Sequence, residues 1–261
     1  METGCIRVER LGRITRITID RPASANALDA AAQFELAAVF DGFAADPEQW
    51  VAVLTGSGTH AFCAGGDLKA LARDGMSAGR PKTGFGGLTR RFDLEKPVIA
   101  AVNGLAYGGG FELALACDII VTCESARFCL PEPRRGLVAL GGGILRLVRA
   151  VGEKRAMDIA LTARVVSARE ALTLGFVADV VPDSDLAEAA LARADAIAQL
   201  APLAVRGTRE SVLRAMEQPT LAEAMKAQLH HPSVERNTAS QDFKEGPLAF
   251  SEKRAPDWKG R

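Results

Sequence analysis

Apolar and polar positions alternate through "IRVERLGRITRITIDRP" (6–22), which predicts two strands turning at Leu11-Gly12, with Pro22 ending the second. From Leu28 the spacing changes. Leu36, Val39, Phe40 and Phe43 recur at i, i+3, i+4 and i+7, the stripe of an amphipathic helix that Pro47 closes. "WVAVLTG" (50–56) is a short continuous apolar run, as in a strand covered on both faces. In "HAFCAGGDLKAL" (60–71), Asp67 stands where an N-cap would start a short helix. Residues 73–92 hold five glycines and several charges, and they predict a mobile loop.

The pattern then repeats. "PVIAAV" (97–102) reads as a strand, "NGLAYGGG" (103–110) as a turn, "FELALA" (111–116) as a helix and "DIIVTC" (118–123) as a strand. A strand–glycine turn–helix unit thus occurs at 51–72 and again at 98–116. Beyond residue 150 helical spacing takes over: Leu191, Ala194, Ile197 and Ala198 share one face, as do Leu221, Met225 and Leu229. No linker rich in Pro, Gly or Ser separates the halves. The expectation is one α/β domain, a core over 1–190 and a helical extension over 191–261.

Composition narrows the function classes. Lys+Arg and Asp+Glu are equal at 32 each, so no field of one sign draws in nucleic acid or an anionic membrane. The apolar run from Pro97 to Val121 is interrupted by Asn103, Glu112 and Asp118, which argues against a membrane span. The charged amino terminus is not a signal peptide, and five cysteines without a CxxC pair suggest reduced thiols in the cytoplasm and no zinc site. A P-loop, a dinucleotide fingerprint and a GxSxG elbow are all missing, and three histidines are thin material for a triad or metal centre.

What remains is glycine and carboxylate. Each glycine turn delivers the chain to a helix N-terminus, where free N–H groups and the helix dipole favour negative charge. Two such N–H groups converging on one oxygen would form an oxyanion hole. If the second helix begins near Gly109, Glu112 lies three residues on, on the same face as that donor. A carboxylate in so apolar a run is costly unless it is paired, hydrogen-bonded or protonated. Glu132 follows twenty residues later in "FCLPEPRRG", its backbone fixed by flanking prolines. Taken singly, Glu112 is more often a solvent-facing helix residue, "CAGGD" a capped turn and Glu132 a loop carboxylate. Their joint occurrence favours acid–base chemistry beside an oxyanion hole.

Five segments together resemble the crotonase, or enoyl-CoA hydratase/isomerase, superfamily: "RPASANAL" (21–28), "AFCAGGDLK" (61–69), "KPVIAAVNGLAYGGGFELALACDI" (96–119), "ARFCLPEPRRGL" (126–137) and "EGPLAFSEKRAPDWKGR" (245–261). The resemblance implies a spiral of ββα units with C-terminal helices that mediate assembly into a trimer or a dimer of trimers. It implies an acyl-CoA thioester substrate whose oxygen binds the N–H groups of Gly66 and Gly109, with Glu112 and Glu132 as the two hydratase glutamates. Positions Ser24, Ala25, Ala27, Ala64, Gly66, Asp67, Leu68, Lys69 and Gly109 fall where the family grips coenzyme A and the acyl group. Phe250 and Lys253 fall where the family's tail reaches the adenine end, with a packed helix and a solvated lysine as the plain alternative. No separate cofactor and no metal is implied, since coenzyme A belongs to the substrate.

Within the family the likeness is closest to enoyl-CoA hydratases and carnitinyl-CoA dehydratases, with a Δ3–Δ2 isomerase as a further alternative. Val138, Ala139 and Leu140 suggest an apolar acyl pocket, which disfavours a trimethylammonium substrate. The rival from another class is a non-catalytic binding or scaffold member, including an RNA binder.

Overall fold

The computed structural model describes residues 4–74 and 79–261. Strands β1 (Ile6–Leu11) and β2 (Ile14–Ile19) form the antiparallel hairpin expected from the alternation, Ile6 opposite Ile19 and Leu11 opposite Ile14. Helix α1 (Ala30–Ala45) follows, capped by Asp29, whose carboxylate accepts from the Ala32 N–H.

Three similar units come next. The first is β3 (Val51–Gly56), β4 (Ala61–Cys63) and α2 (Leu68–Asp74). The second is β5 (Val98–Val102), β6 (Leu105–Tyr107) and α3 (Gly109–Ala116). The third is β7 (Ile119–Cys123), β8 (Arg127–Cys129), a 3-10 turn over Glu132–Arg135, and α4 (Gly143–Val151). Each unit gives one strand to each of two sheets. The larger is ordered β1-β2-β3-β5-β7 and the smaller β4-β6-β8, with β3, β5 and β7 parallel and β4, β6 and β8 parallel. Sheets that advance in step make a spiral of ββα units, the architecture that the resemblance implied. The second sheet escaped the hydropathy reading, which placed β6 in a turn and assigned no strand to β4 or β8. Three-residue strands are too short to show a period.

Helix α5 (Glu153–Thr162), β9 (Val166–Ser167), α6 (Ala168–Leu174) and β10 (Asp179–Val181) close the sheets, β9 on β8 and β10 on β7. The chain ends in α7 (Leu186–Ala198), α8 (Pro202–Arg214), α9 (Leu221–Gln228), α10 (Pro232–Thr238) and α11 (Gln241–Glu252). The division expected after residue 190 falls inside α7, which packs on β3, β5 and β7 with Ala190 and Ala194 fully buried. The outer face of α9 has no cover in the single chain: Leu221, Met225 and Leu229 are 62–77% exposed.

The loop expected over 73–92 is corrected in part. Residues 73 and 74 close α2, 75–78 lie outside the described residues, and 84–89 and Arg91 are buried. Gly87 is at φ +69°, and a Cβ there would lie 2.3 Å from the Ala37 Cα, so glycine lets this segment settle on α1. Arg91 then donates to the carbonyls of Gly87 and Ala37 at 2.7 and 3.2 Å. A glycine-rich, charged sequence has packed because its polar groups found backbone partners.

Candidate active site

The two glycine turns touch. A Cβ on Gly65 would lie 2.8 Å from the Tyr107 carbonyl and 3.1 Å from the Gly109 nitrogen, and a Cβ on Gly110 would lie 1.9 Å from the Cys63 carbonyl. Any larger residue would force the turns apart. The first turn is fixed from below by Leu28, whose N–H donates to the Gly65 carbonyl at 2.8 Å and whose carbonyl accepts from Asp67 at 3.1 Å. Asp67 caps α2, accepting from Lys69 and Ala70 at 3.0 and 3.2 Å. The second turn is fixed by the Gly108 N–H, which donates to the Cys129 carbonyl at 2.9 Å.

Helix α3 begins at Gly109, so that N–H has no partner within the helix. Among the described residues, no hydrogen bond runs from the N–H of Gly66 or of Gly109. Gly66 is exposed and Gly109 half-buried, so two open donors face accessible space. Phe85 lies against both. Its ring stands 2.8 Å from the place of a Cβ on Gly109 and 4.0 Å from one on Gly66. Phe85 went unnoticed in the sequence because it lies within the segment that reads as a loop.

Glu112 is only 4% exposed. Its neighbour Phe111 anchors α3 by packing on Phe128 and Phe176, with ring centroids 5.2 and 5.4 Å away. The carboxylate accepts from the Gly143 N–H at 3.0 Å. Glycines at 141 and 143 are needed for this, since a Cβ at either would lie 2.5 Å from Glu112 side-chain atoms. Burial raises the pKa of Glu112 above the ordinary glutamate value, while the N–H groups of Gly143 and Gly141 and the charges of Arg146 and Arg80 pull it back.

Glu132 reaches the same place from the third unit. The Gly108–Cys129 bond ties β8 to the second turn, and Pro131 and Pro133 hold Glu132 at the start of its 3-10 turn. Its Oε1 lies 2.8 Å from where a Cβ on Gly108 would stand. Its Oε2 is buried with no hydrogen-bond partner among the described residues. Burial raises its pKa first, and the charge of Glu112 raises it further. The charge of Glu112 is thus felt at Glu132, which places the two carboxylates in one electrostatic site.

Ser24, Ala25 and Ala27 form a short ridge beside the first turn, where the Ala25 carbonyl accepts from Ala64 at 3.0 Å. Ala25 and Asn26 both have left-handed backbones, at φ 50° and 56°. The side chain of Asn26 holds this strained pair in place: it is 1% exposed, donates to the carbonyls of Ser57 and Ala61, and accepts from the Arg21 N–H. Arg21 adds a bond to the Ala27 carbonyl and an ion pair with Asp29 at 2.6 Å. Sequence reasoning missed Asn26 and Arg21, although an Asn after two small residues is a fair sign of a left-handed turn.

Leu68 and Lys69 lie exposed on α2, next to Gly66. Phe250 and Lys253 are not joined to these segments. Phe250 is 87% exposed near the end of α11 and Lys253 caps that helix, with no hydrogen bond or ion pair to 24–28 or 66–69. Of the expected apolar pocket, Ala139 is buried, but Val138 and Leu140 are 63% and 67% exposed in the single chain. Among the described residues, no group of three or more His, Cys, Asp or Glu side chains could hold a metal ion.

The chain is similar to known proteins over nearly its whole length. The family described as enoyl-CoA hydratase/isomerase matches residues 9–261. A carnitinyl-CoA dehydratase of Salmonella typhi is 46% identical over 98% of both chains, and one of Proteus mirabilis is 44% identical over 96% of both. Among solved structures, an enoyl-CoA hydratase from Mycobacterium tuberculosis H37Rv is 39% identical with a TM-score of 0.90, covering 98% of this chain and 99% of that one. An enoyl-CoA hydratase from Bacillus anthracis is 35% identical with the same score, covering 98% and 100%. On sequence and fold alike, the chain belongs to the enoyl-CoA hydratase/isomerase family.

Proposed function

We propose that the protein is a hydro-lyase acting on a coenzyme A thioester, adding water reversibly across the C2–C3 bond of a 2-enoyl-CoA. The observation that carries this reading is the meeting of two open N–H donors with the buried Glu112 and the half-buried Glu132, whose Oε2 is itself buried. The thioester oxygen binds between Gly66 and Gly109, whose fixed dipoles stabilise the enolate that forms there. Glu112, ionised, takes a proton from water as the oxygen attacks C3; the C2–C3 π pair becomes the C1–C2 bond of the enolate, and the C1–O π pair moves onto the thioester oxygen. Glu132, protonated, then gives its proton to C2 as the enolate collapses. Water is thereby added, leaving Glu112 protonated and Glu132 ionised, so transfer of one proton from Glu112 to Glu132 restores the starting state. Burial raises the pKa of both carboxyls; the charge of Glu112 raises Glu132 further, whereas the N–H groups of Gly143 and Gly141 favour ionised Glu112, in keeping with the two roles.

The curated relatives favour a second substrate within the same chemistry, a carnitinyl-CoA that loses water, since their names carry that activity. A Δ3–Δ2 isomerase needs only one of the two glutamates, and a scaffold member needs neither. The extension is read as an assembly surface: the uncovered stripe of α9, together with Leu145 of α4 and Leu161 of α5, 71% and 72% exposed, suits a trimer or dimer of trimers. No described helix is long and apolar enough to cross a membrane.

Crotonyl-CoA hydration and carnitinyl-CoA dehydration should be followed side by side on the wild type and on Glu112→Gln. Turnover of either substrate that is lost in the variant supports the hydro-lyase reading, and the ratio of kcat/KM values assigns the substrate. A folded wild type that turns over neither would refute it.

A further inference from the structure

Arg146 stands in the first turn of α4, outside the residues assigned to the reaction, yet its guanidinium touches two parts of the site. Nη2 donates to the Thr89 carbonyl at 2.9 Å, and Nη1 reaches the Gly141 carbonyl at 3.4 Å. The turn lies tight against it, for a Cβ at Gly142 would stand 2.6 Å from Nη1. Those two carbonyls belong to different segments. Thr89 follows the 3-10 turn that carries Phe85, the ring set against Gly109 and Gly66. Gly141 opens the turn whose Gly143 N–H holds the Glu112 carboxylate.

We propose that Arg146 is a positioning residue that clamps the Phe85 segment to the Gly141–Gly143 turn, keeping the wall of the oxyanion hole and the base in one register. An arginine suits this task, because its planar fork bridges two carbonyls at fixed spacing and stays charged. The plain alternative is an arginine that satisfies two carbonyls and supports the fold alone. Charge separates the two cases. Glu112 is faced by Glu132 from the 3-10 turn, by Arg146 from α4 and by Arg80 from the segment before Phe85. Arg146 in turn feels Glu112, Cys117 and Arg149. Its positive charge favours the ionised carboxylate, so removing it moves the acid limb of the rate profile to higher pH.

The proposal rests on the hydro-lyase reading, and its test separates the two. Arg146→Met removes charge and fork, and Arg146→Lys restores charge alone. For Arg146→Met the expected result is a kcat loss of about tenfold to a hundredfold, with KM changed by less than about twofold. The acid limb of kcat/KM should move up in Arg146→Met and return in Arg146→Lys. Amide hydrogen exchange at 85–91 and 141–143 should accelerate together in Arg146→Met. A folded Arg146→Met enzyme with a lowered melting temperature but unchanged kcat and acid limb would overturn the proposal. If the wild type turns over neither substrate, the hydro-lyase reading has failed, and exchange alone decides: joint loosening of the two segments supports the clamp, and loosening of one or neither overturns it.

Discussion

The first two units of the spiral fold alike, yet they contribute differently to the site. Each presents one open N–H, from Gly66 and from Gly109. Three residues past Gly66 stands Lys69, exposed on the outward-facing α2; three residues past Gly109 stands Glu112, buried on α3. The backbone of a repeated turn can therefore be reused as a donor, whereas side-chain chemistry depends on how deeply the following helix is packed. What buries α3 is Phe111 against Phe128 and Phe176, whereas the sequence of α2, LKALARD, holds no aromatic residue.

The largest effect should come from the carboxylates, which only the second and third units supply. Glu112→Gln and Glu132→Gln should each lower kcat by roughly 10²–10⁴-fold with the circular dichroism spectrum retained. Because the pair acts as a unit, the double variant should lose much less than the product of the single losses. A double loss equal to that product would mean independent roles.

Next come the backbone donors, where both turns should respond alike. Gly66→Pro and Gly109→Pro each delete an N–H, and about 10²-fold in kcat should go with it. Position 109 needs a control, since added bulk would meet the Phe85 ring within 3.0 Å. Gly109→Pro made on a Phe85→Ala background separates the lost donor from the clash. If kcat returns to the Phe85→Ala level there, the ring rather than the donor was at fault.

A smaller effect, of opposite sign, concerns stability. The pKa of Glu112 is raised in the fold, chiefly by burial. The native state thus binds that proton more tightly than the unfolded chain, and stability falls as pH rises from the ordinary glutamate pKa through the raised one. Glu112→Gln removes this loss and can still accept from Gly143. Its melting temperature at pH 7 should match or exceed that of the wild type, with the difference shrinking toward pH 4. A variant less stable than the wild type at pH 7 would show that the charged carboxylate supports the fold.

The smallest effect should lie at the tail. Lys253→Ala should raise KM for the thioester a few-fold and leave kcat alone, as loss of one screened charge contact implies. An unchanged KM would leave Lys253 as the solvated cap of α11.

The hairpin and α1 were legible in the sequence because each runs long enough to show a period, β3 and β5 because each is a continuous apolar run, and α3 because a glycine turn precedes it. The strands of the second sheet were not, since each has two or three residues and their pairing is set by neighbouring units. Gly66, Gly109, Glu112 and Glu132 stood out as glycines and charges in apolar surroundings. Phe85, Asn26 and Arg146 did not, because their roles depend on contacts across 31 to 57 residues of chain or on a ring packed against a distant turn. Val138 and Leu140 read as pocket residues by hydropathy, but hydropathy cannot tell an acyl pocket from a surface awaiting another subunit.

On the proposed mechanism, the buried Glu112 and the half-buried Glu132 perform the proton transfers beside the oxyanion donors. The pH dependence of kcat/KM for crotonyl-CoA hydration, or for carnitinyl-CoA dehydration if that is the substrate turned over, tests it most directly in wild type and Glu112→Gln. The wild-type acid limb is expected above the ordinary glutamate pKa, since burial raises both carboxyls, and Glu112→Gln is expected to keep less than about a hundredth of the wild-type rate. An acid limb at or below the ordinary glutamate pKa, or a folded Glu112→Gln enzyme retaining more than about a tenth of the rate, would contradict it.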